Sequence, residues 1–241
     1  MVKNMLNNAK KSEVQKLIPD ILVFVIGGLL QFFVVYLCVP MLSGIGIMPL
    51  GSWMILSIPL IFLPVIAGGL IILRLEKGTE KITKRLLFHK LNKNDWLWFL
   101  TGLIIMAVGS AIMFKLCAVL GLDSNPPFAR NVKAWTEGHL WMFALWAVYW
   151  PFNILGENIV WRGVILPRME RKVGKFAWLL NAFFWGVFHL AFGIGNLIIL
   201  LPTLIVVPFI AQRTHNTWTA VMLHASLSGP GFIALAFGMM G

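Results

Sequence analysis

Glu157, His189 and His224 are the residues of this chain best able to do chemistry, because each stands in a stretch that is otherwise almost wholly apolar. A charge near the centre of a bilayer costs ~2.5–3.5 kcal/mol on insertion scales, so Glu157 needs partners or a wet cavity. One carboxylate and two imidazoles converging inside a membrane protein have the makings of a reaction centre, able to accept and return protons. The same three groups resemble a zinc ligand set with an open fourth position, so Glu157, His189 and His224 are also the candidate metal ligands. No HExxH helix is present, and the three would come from separate segments. Ser228 follows His224 by four residues and shares its helix face, which places a hydroxyl beside an imidazole. Asn158 and Arg162 are also four apart and can bond across a turn, or Arg162 can snorkel to the surface. Trp161, four after Glu157, can wall one side of the carboxylate. Taken singly, each His reads as a helix-to-helix hydrogen bond and Glu157 as a packing residue or part of a proton path. His89, His139 and His215 fall near segment ends and read as interfacial.

The elements that must hold these residues are membrane helices. The chain has 241 residues, 59% hydrophobic and 12% charged, with mean hydropathy +0.84. A soluble domain carries about 25% charged residues. The apolar runs are continuous, whereas barrel strands alternate over about ten residues. Seven spans are expected (six to eight), at 18–39, 54–73, 96–116, 139–166, 176–193, 195–212 and 217–238. Each is near the ~20 residues needed to cross a hydrocarbon core. The fold class is therefore all-α, a polytopic transmembrane helix bundle, with 1–241 as a single integral membrane domain. The first apolar run lacks a small-residue cleavage site and reads as a span rather than a removable signal. Pro202 and Pro208 are expected to kink the sixth span, and Cys38 and Cys117 read as small packing residues.

The net charge of +11 reports topology and contact with anionic membrane lipid, not nucleic acid, because the basic residues lie between spans. With a cytoplasmic N-terminus, 16 of the 20 lysines and arginines face the cytoplasm and only Lys115, Arg130 and Lys133 face outside. Lys3, Lys10, Lys11 and Lys16 precede the first span, and Lys77 helps fill the basic second loop. The C-terminus is then outside, in a multi-pass protein of the cell membrane. Trp53, Trp135 and Trp141 are expected at outer headgroups, and Trp96, Trp98, Trp178 and Trp218 at inner ones. Counting residues from the cytoplasmic ends puts His224, Glu157 and His189 roughly 10, 15 and 20 Å deep, in a cavity expected to open to the cytoplasm. No internal repeat supports an inverted-repeat transporter.

Three ordered motifs carry a resemblance: Gly156-Glu157-Asn158-Ile159-Val160-Trp161-Arg162-Gly163, Trp185-Gly186-Val187-Phe188-His189 and His224-Ala225-Ser226-Leu227-Ser228. They resemble the CPBP family of intramembrane proteases, which includes the CAAX prenyl endopeptidases and the Abi group of bacteriocin-processing and self-immunity proteins. That family shows Glu-Glu-x-x-x-Arg, Phe-x-x-x-His and His-x-x-x-Asn/Asp in this order. The match covers Asn153 to Gly229, within a CPBP-like core at 139–238. The resemblance implies that Glu157 and His189 activate a water, that His224 and Ser228 steady the oxyanion, and that Asn158, Trp161, Arg162 and Trp185 support them. It implies an endopeptidase acting on a hydrophobic or membrane-associated peptide, with no cofactor or with zinc. Three positions depart from the pattern: Asn158 replaces the second Glu, Trp185 the Phe, and Ser228 the final Asn. The alternative is a catalytically weakened binding or bacteriocin self-immunity protein on the same scaffold.

Overall fold

The computed structural model describes residues 17–76, 81–130, 132, 134, 135 and 138–238. The basic residues Lys3, Lys10, Lys11, Lys16, Lys77 and Lys133 lie outside the described residues. Seven long helical stretches follow the seven apolar segments in order, with no strand among the described residues. They are α1 (Ile18–Ser43), α2 (Pro49–Leu75), α3 (Lys93–Val119), α4 (141–173), α5 (Ala177–Phe188), α6 (Ile194–Thr214) and α7 (Thr217–Ala236). The all-α membrane bundle is therefore observed.

The helices divide into two kinds, and composition explains why. Helices α1, α2, α3 and α6 are each long and apolar enough to cross a membrane. On α3, Leu97, Leu100, Ile104, Ile105, Val108 and Ile112 are exposed, the apolar face a lipid-contacting helix needs. The other three fall short of that standard. Helix α5 has 12 residues, about 18 Å of rise. Helix α4 carries Asn153, Glu157, Asn158 and Arg162, and α7 carries Thr217, Thr219, His224, Ser226 and Ser228. These polar residues need an interior, and α4 supplies it: 160–166 is buried without a break. A helix covered all round is a core helix.

Helix α4 does not wind evenly. Two wide-turn π stretches, Phe152–Gly156 and Ile159–Ile165, flank Glu157 and Asn158. Such turns are rare and collect at functional sites. Pro151 sits one residue before the first π stretch. Its ring cannot donate to the preceding turn and crowds it, which a widened turn accommodates. Helix α6 stays continuous through Pro202 and Pro208.

Small residues set the spacing around α4. A Cβ on Gly27 of α1 would lie 2.8 Å from the Phe188 ring, and one on Gly69 of α2 would lie 2.9 Å from Val160. Close helix approach through glycine is the usual membrane device, since apolar burial gives little drive between helices in lipid. Phe24 of α1 then stacks on Trp161 with centroids 4.0 Å apart, and Phe188 meets the same indole edge-on at 5.3 Å. These contacts fix the end of α5, where His189 begins the next turn.

The end rich in Lys and Arg is tied by ion pairs. Asp20, fully buried, accepts from Arg168 Nε at 2.5 Å and from Lys172 Nζ at 3.1 Å. Glu76 pairs with Arg168 and, at 2.7 Å, with Arg171. Arg85 donates to the carbonyls of Leu73 and Glu76, each at 2.7 Å. Asn92 and Asp95 form a capping box on α3, and Asn216 Nδ2 donates to the same Asp95 carboxylate at 3.1 Å. Thr217 Oγ1 donates to Leu86 O at 2.6 Å. The start of α7 is thus pinned two turns before His224.

Two expectations need correction here. Trp53 and Trp135 are each 1% exposed, so they are core rings and not headgroup anchors. Trp53 Nε1 donates to the Tyr149 hydroxyl at 3.1 Å and its ring stacks on Phe128. A buried partner for the indole N–H removes its reason to seek the interface. Trp96, Trp141 and Trp218 are exposed, as interfacial rings would be.

Candidate active site

Glu157 is 2% exposed and both its carboxylate oxygens are engaged. Oε1 accepts from Asn153 Nδ2 at 2.9 Å. Oε2 accepts from Trp185 Nε1 at 2.8 Å and from Trp161 Nε1 at 3.3 Å. Two indole N–H groups and an amide hold the acid, with no salt bridge among the described residues. Helical geometry explains the set: Asn153 and Trp161 stand one turn before and one turn after Glu157 on α4, while Trp185 reaches across from α5.

Trp185 organises the rest. Its ring meets His189 at 5.4 Å and His224 at 5.3 Å, both edge-on. The Arg162 guanidinium lies over it at 3.6 Å, a cation–π contact worth ~2 kcal/mol when desolvated. His189 Nδ1 is 2.8 Å from Trp185 O, so the backbone of the same residue orients that imidazole. His224 Nδ1 is 3.0 Å from Asn158 Nδ2. Residues from α4, α5, α7 and the turn after α5 are thereby gathered around one indole. Sequence depth alone put His189 about 5 Å out of line with Glu157. The gap closes because α5 stops at Phe188 and His189 opens a tight turn over Leu190–Phe192.

A cavity of about 340 Å³ opens on this cluster, and His189, His224, Ser228, Trp185, Asn153 and Tyr149 all line it. Its further walls are Ser110 and Phe114 of α3, Ser124 to Phe128 of the following segment, and Asn196 to Leu204 of α6. Glu157 is not a wall residue: Asn153 and Trp185, two of its three donors, stand between it and the cavity. Ser228 faces the space with His224, as their spacing predicts, but makes no hydrogen bond among the described residues.

Four expectations change. The cavity is expected at the basic end, yet the wall residues of α2 to α6 come from the opposite, charge-poor half of each helix, and those of α7 from His224 onward. The basic end is tied by the ion pairs of Asp20 and Glu76 and by Phe88 packed on Trp218. Asn158 and Arg162 do not bond each other, because Asn158 Nδ2 donates to Ile154 O at 2.7 Å and to His224. Nor does Arg162 snorkel: it is 1% exposed, and its Nε, Nη1 and Nη2 find no hydrogen-bond partner among the described residues. Finally, the described residues contain no group of three His, Cys, Asp or Glu arranged to hold a metal. Glu157, His189 and His224 ring an indole instead of converging on a point, and the Glu157 oxygens already accept from three donors. The candidate zinc set does not fit this arrangement.

Two contributors went unread in the sequence. Asn153 precedes Glu157 by four residues, so the i, i+4 rule could have found it. Tyr149, four residues earlier again, lines the cavity with its hydroxyl held by Trp53.

Residues 139–229 match the family model described as Type II CAAX prenyl endopeptidase Rce1-like. That segment contains Glu157, Asn158, Arg162, Trp185, His189, His224 and Ser228. No curated protein and no solved structure matches the chain.

Proposed function

With a 139–229 segment of the CAAX-type intramembrane protease family at its centre, we propose that this protein is an endopeptidase cleaving a hydrophobic or membrane-associated peptide by attack of water. The observation that carries the proposal is the gathering of one carboxylate and two imidazoles around Trp185, at the wall of a cavity among apolar helices.

The chemistry follows from what each group has left to offer. His189 faces a carbonyl through Nδ1, so Nδ1 carries hydrogen and Nε2 keeps a lone pair that can accept from water. Asn153 is the one donor on Glu157 Oε1, and it lines the cavity. Exchange of that amide for a water brings the carboxylate into contact with the attacking molecule. The water oxygen bonds to the scissile carbonyl carbon, and its proton passes to Glu157 or His189. The carbon–nitrogen bond then breaks as that proton reaches the leaving amine. His224 and Ser228, on the facing α7, steady the negative charge on the carbonyl oxygen; donors aimed at developing charge in a dry site contribute several kcal/mol. The polar rim at Ser124, Asn125 and Asn196 makes the charge-poor side of the bilayer the side from which a peptide enters. By the positive-inside rule that side is extracytoplasmic.

The test uses purified protein in proteoliposomes and a quenched-fluorescent library of apolar peptides, with new termini read by mass spectrometry. Wild-type protein releases products and Glu157→Gln protein does not. Equal cleavage by both removes Glu157 from the mechanism. A second reading, a binding or self-immunity protein without catalysis, has one observation in its favour: Glu157 is saturated with donors and walled from the cavity. It predicts that Glu157→Ala and His189→Ala keep the cellular phenotype while changes along the cavity rim abolish it.

A further inference from the structure

The contacts of Asn158 determine which nitrogen of His224 carries hydrogen. Asn158 is fully buried, and its Nδ2 lies 2.7 Å from Ile154 O and 3.0 Å from His224 Nδ1. A carbonyl oxygen only accepts, so the side-chain atom facing Ile154 O is the amide nitrogen. Turning the amide over would set oxygen against oxygen. The nitrogen has two hydrogens, and the second is directed at His224 Nδ1. Asn158 Oδ1, without a hydrogen-bond partner among the described residues, agrees with an amide placed for what it donates and not for what it accepts.

From this we infer that Asn158 is a positioning residue that fixes neutral His224 with hydrogen on Nε2, making it a donor toward the cavity and the opposite tautomer to His189. His189 meets a carbonyl through Nδ1, so its free nitrogen accepts. Two histidines about one indole are therefore set apart in role by a side-chain amide on one and a backbone carbonyl on the other. The identity of residue 158 decides the matter. A carboxylate there accepts hydrogen from Nδ1, which leaves His224 Nε2 bare or the ring cationic. An amide fixed by Ile154 O cannot do that. The catalytic value of this device rests on the hydrolase reading above, whereas the tautomer itself does not.

The experiment is nitrogen-15 NMR of histidine-labelled full-length protein in lipid nanodiscs, with signals assigned by their loss in His224→Gln and His189→Gln proteins. Hydrogen on Nε2 of His224 and on Nδ1 of His189 is expected in the wild type. Asn158→Asp is expected to move or add hydrogen at His224 Nδ1 and to leave His189 unchanged. Hydrogen on Nδ1 of wild-type His224 overturns the inference, as does an Asp variant whose His224 signals do not move. Should Asn158→Asp fail to fold, the wild-type spectrum decides alone. Where peptide cleavage is measured, Asn158→Asp lowers kcat about 10²-fold with KM unchanged, the scale of losing one oxyanion donor. A protein with no cleavage at all removes the hydrolase reading and leaves the spectroscopic result standing.

Discussion

The basic end of the bundle and the middle of α4 treat charge in opposite ways. At the basic end Asp20 and Glu76 share Arg168, and Lys172, Arg171 and Arg85 complete the set. Every buried member has a partner. Around Glu157, by contrast, three nitrogens of Arg162, Asn158 Oδ1 and Asn181 Oδ1 have no hydrogen-bond partner among the described residues. Unmatched buried polar groups are costly, by ~1–3 kcal/mol each and more for charges. A protein that pairs its charges completely in one place and leaves them open in another uses them differently. The closed network holds helix ends together, while the open one lies around Trp185 at the cavity wall.

The largest expected effect tests the open region directly. Glu157→Gln keeps the shape of the side chain and an oxygen for the indoles while removing the acceptor of a proton. Peptide cleavage in proteoliposomes should fall by ~10²–10⁴-fold, the usual contribution of a positioned acid–base group, with thermal stability held or raised. A wild-type rate would mean that Glu157 is structural, and the contrast between the two regions would lose its meaning.

The next effect sets two arginines against each other. Arg168→Met leaves Asp20, fully buried, with only Lys172 among the described residues, and unfolding in detergent should come ~3 kcal/mol sooner, the low end for breaking a buried pair. Arg162→Met removes a buried cation that has no hydrogen bond among the described residues and interacts with the Trp185 ring face and the Glu157 charge, so the desolvation cost of the guanidinium is relieved with it. Its thermal stability should therefore hold or rise while cleavage falls. If both arginines cost the same stability, the open region is as structural as the closed one.

A smaller effect concerns the hub. Trp185→Phe installs the residue that the family pattern carries, keeps an aromatic ring beneath Arg162 and deletes the N–H that reaches Glu157 at 2.8 Å. A hydrogen bond to a charged group contributes ~1.5–3 kcal/mol, so kcat/KM should fall at least about tenfold. An unchanged rate would show that Trp161 and Asn153 suffice to hold the acid.

How much of this could be read beforehand depended on the range of the interaction. Lipid-facing composition and the seven helical segments were legible because apolar length is a local property. The i, i+4 relations of Glu157 with Trp161 and of His224 with Ser228 were legible for the same reason. What escaped were choices among partners across helices. Arg162 had two plausible ends, Asn158 and the aqueous surface, and took neither because Trp185 from α5 offers a ring face. The cavity's end was misjudged because depth was counted along straight helices, whereas α5 stops at Phe188 and α4 widens twice. Trp53 was misplaced because the interface preference of an indole yields once a partner such as Tyr149 is buried with it, whereas Trp135 is held by ring packing on Phe143.

The smallest effect separates the two donors that face the cavity from α7. His224 has its Nδ1 held by Asn158, so its free nitrogen is committed, whereas Ser228 makes no hydrogen bond among the described residues. Such a hydroxyl contributes little until substrate orders it, and a neutral hydrogen bond is then worth ~0.5–1.5 kcal/mol. Ser228→Ala should accordingly slow cleavage only about two- to tenfold, and Ser228→Asn, with a longer donor, should speed it by a similar factor. A thousandfold loss in Ser228→Ala would reverse the ranking. The hydroxyl would then be the principal oxyanion donor, and His224, however firmly oriented, would serve to place it.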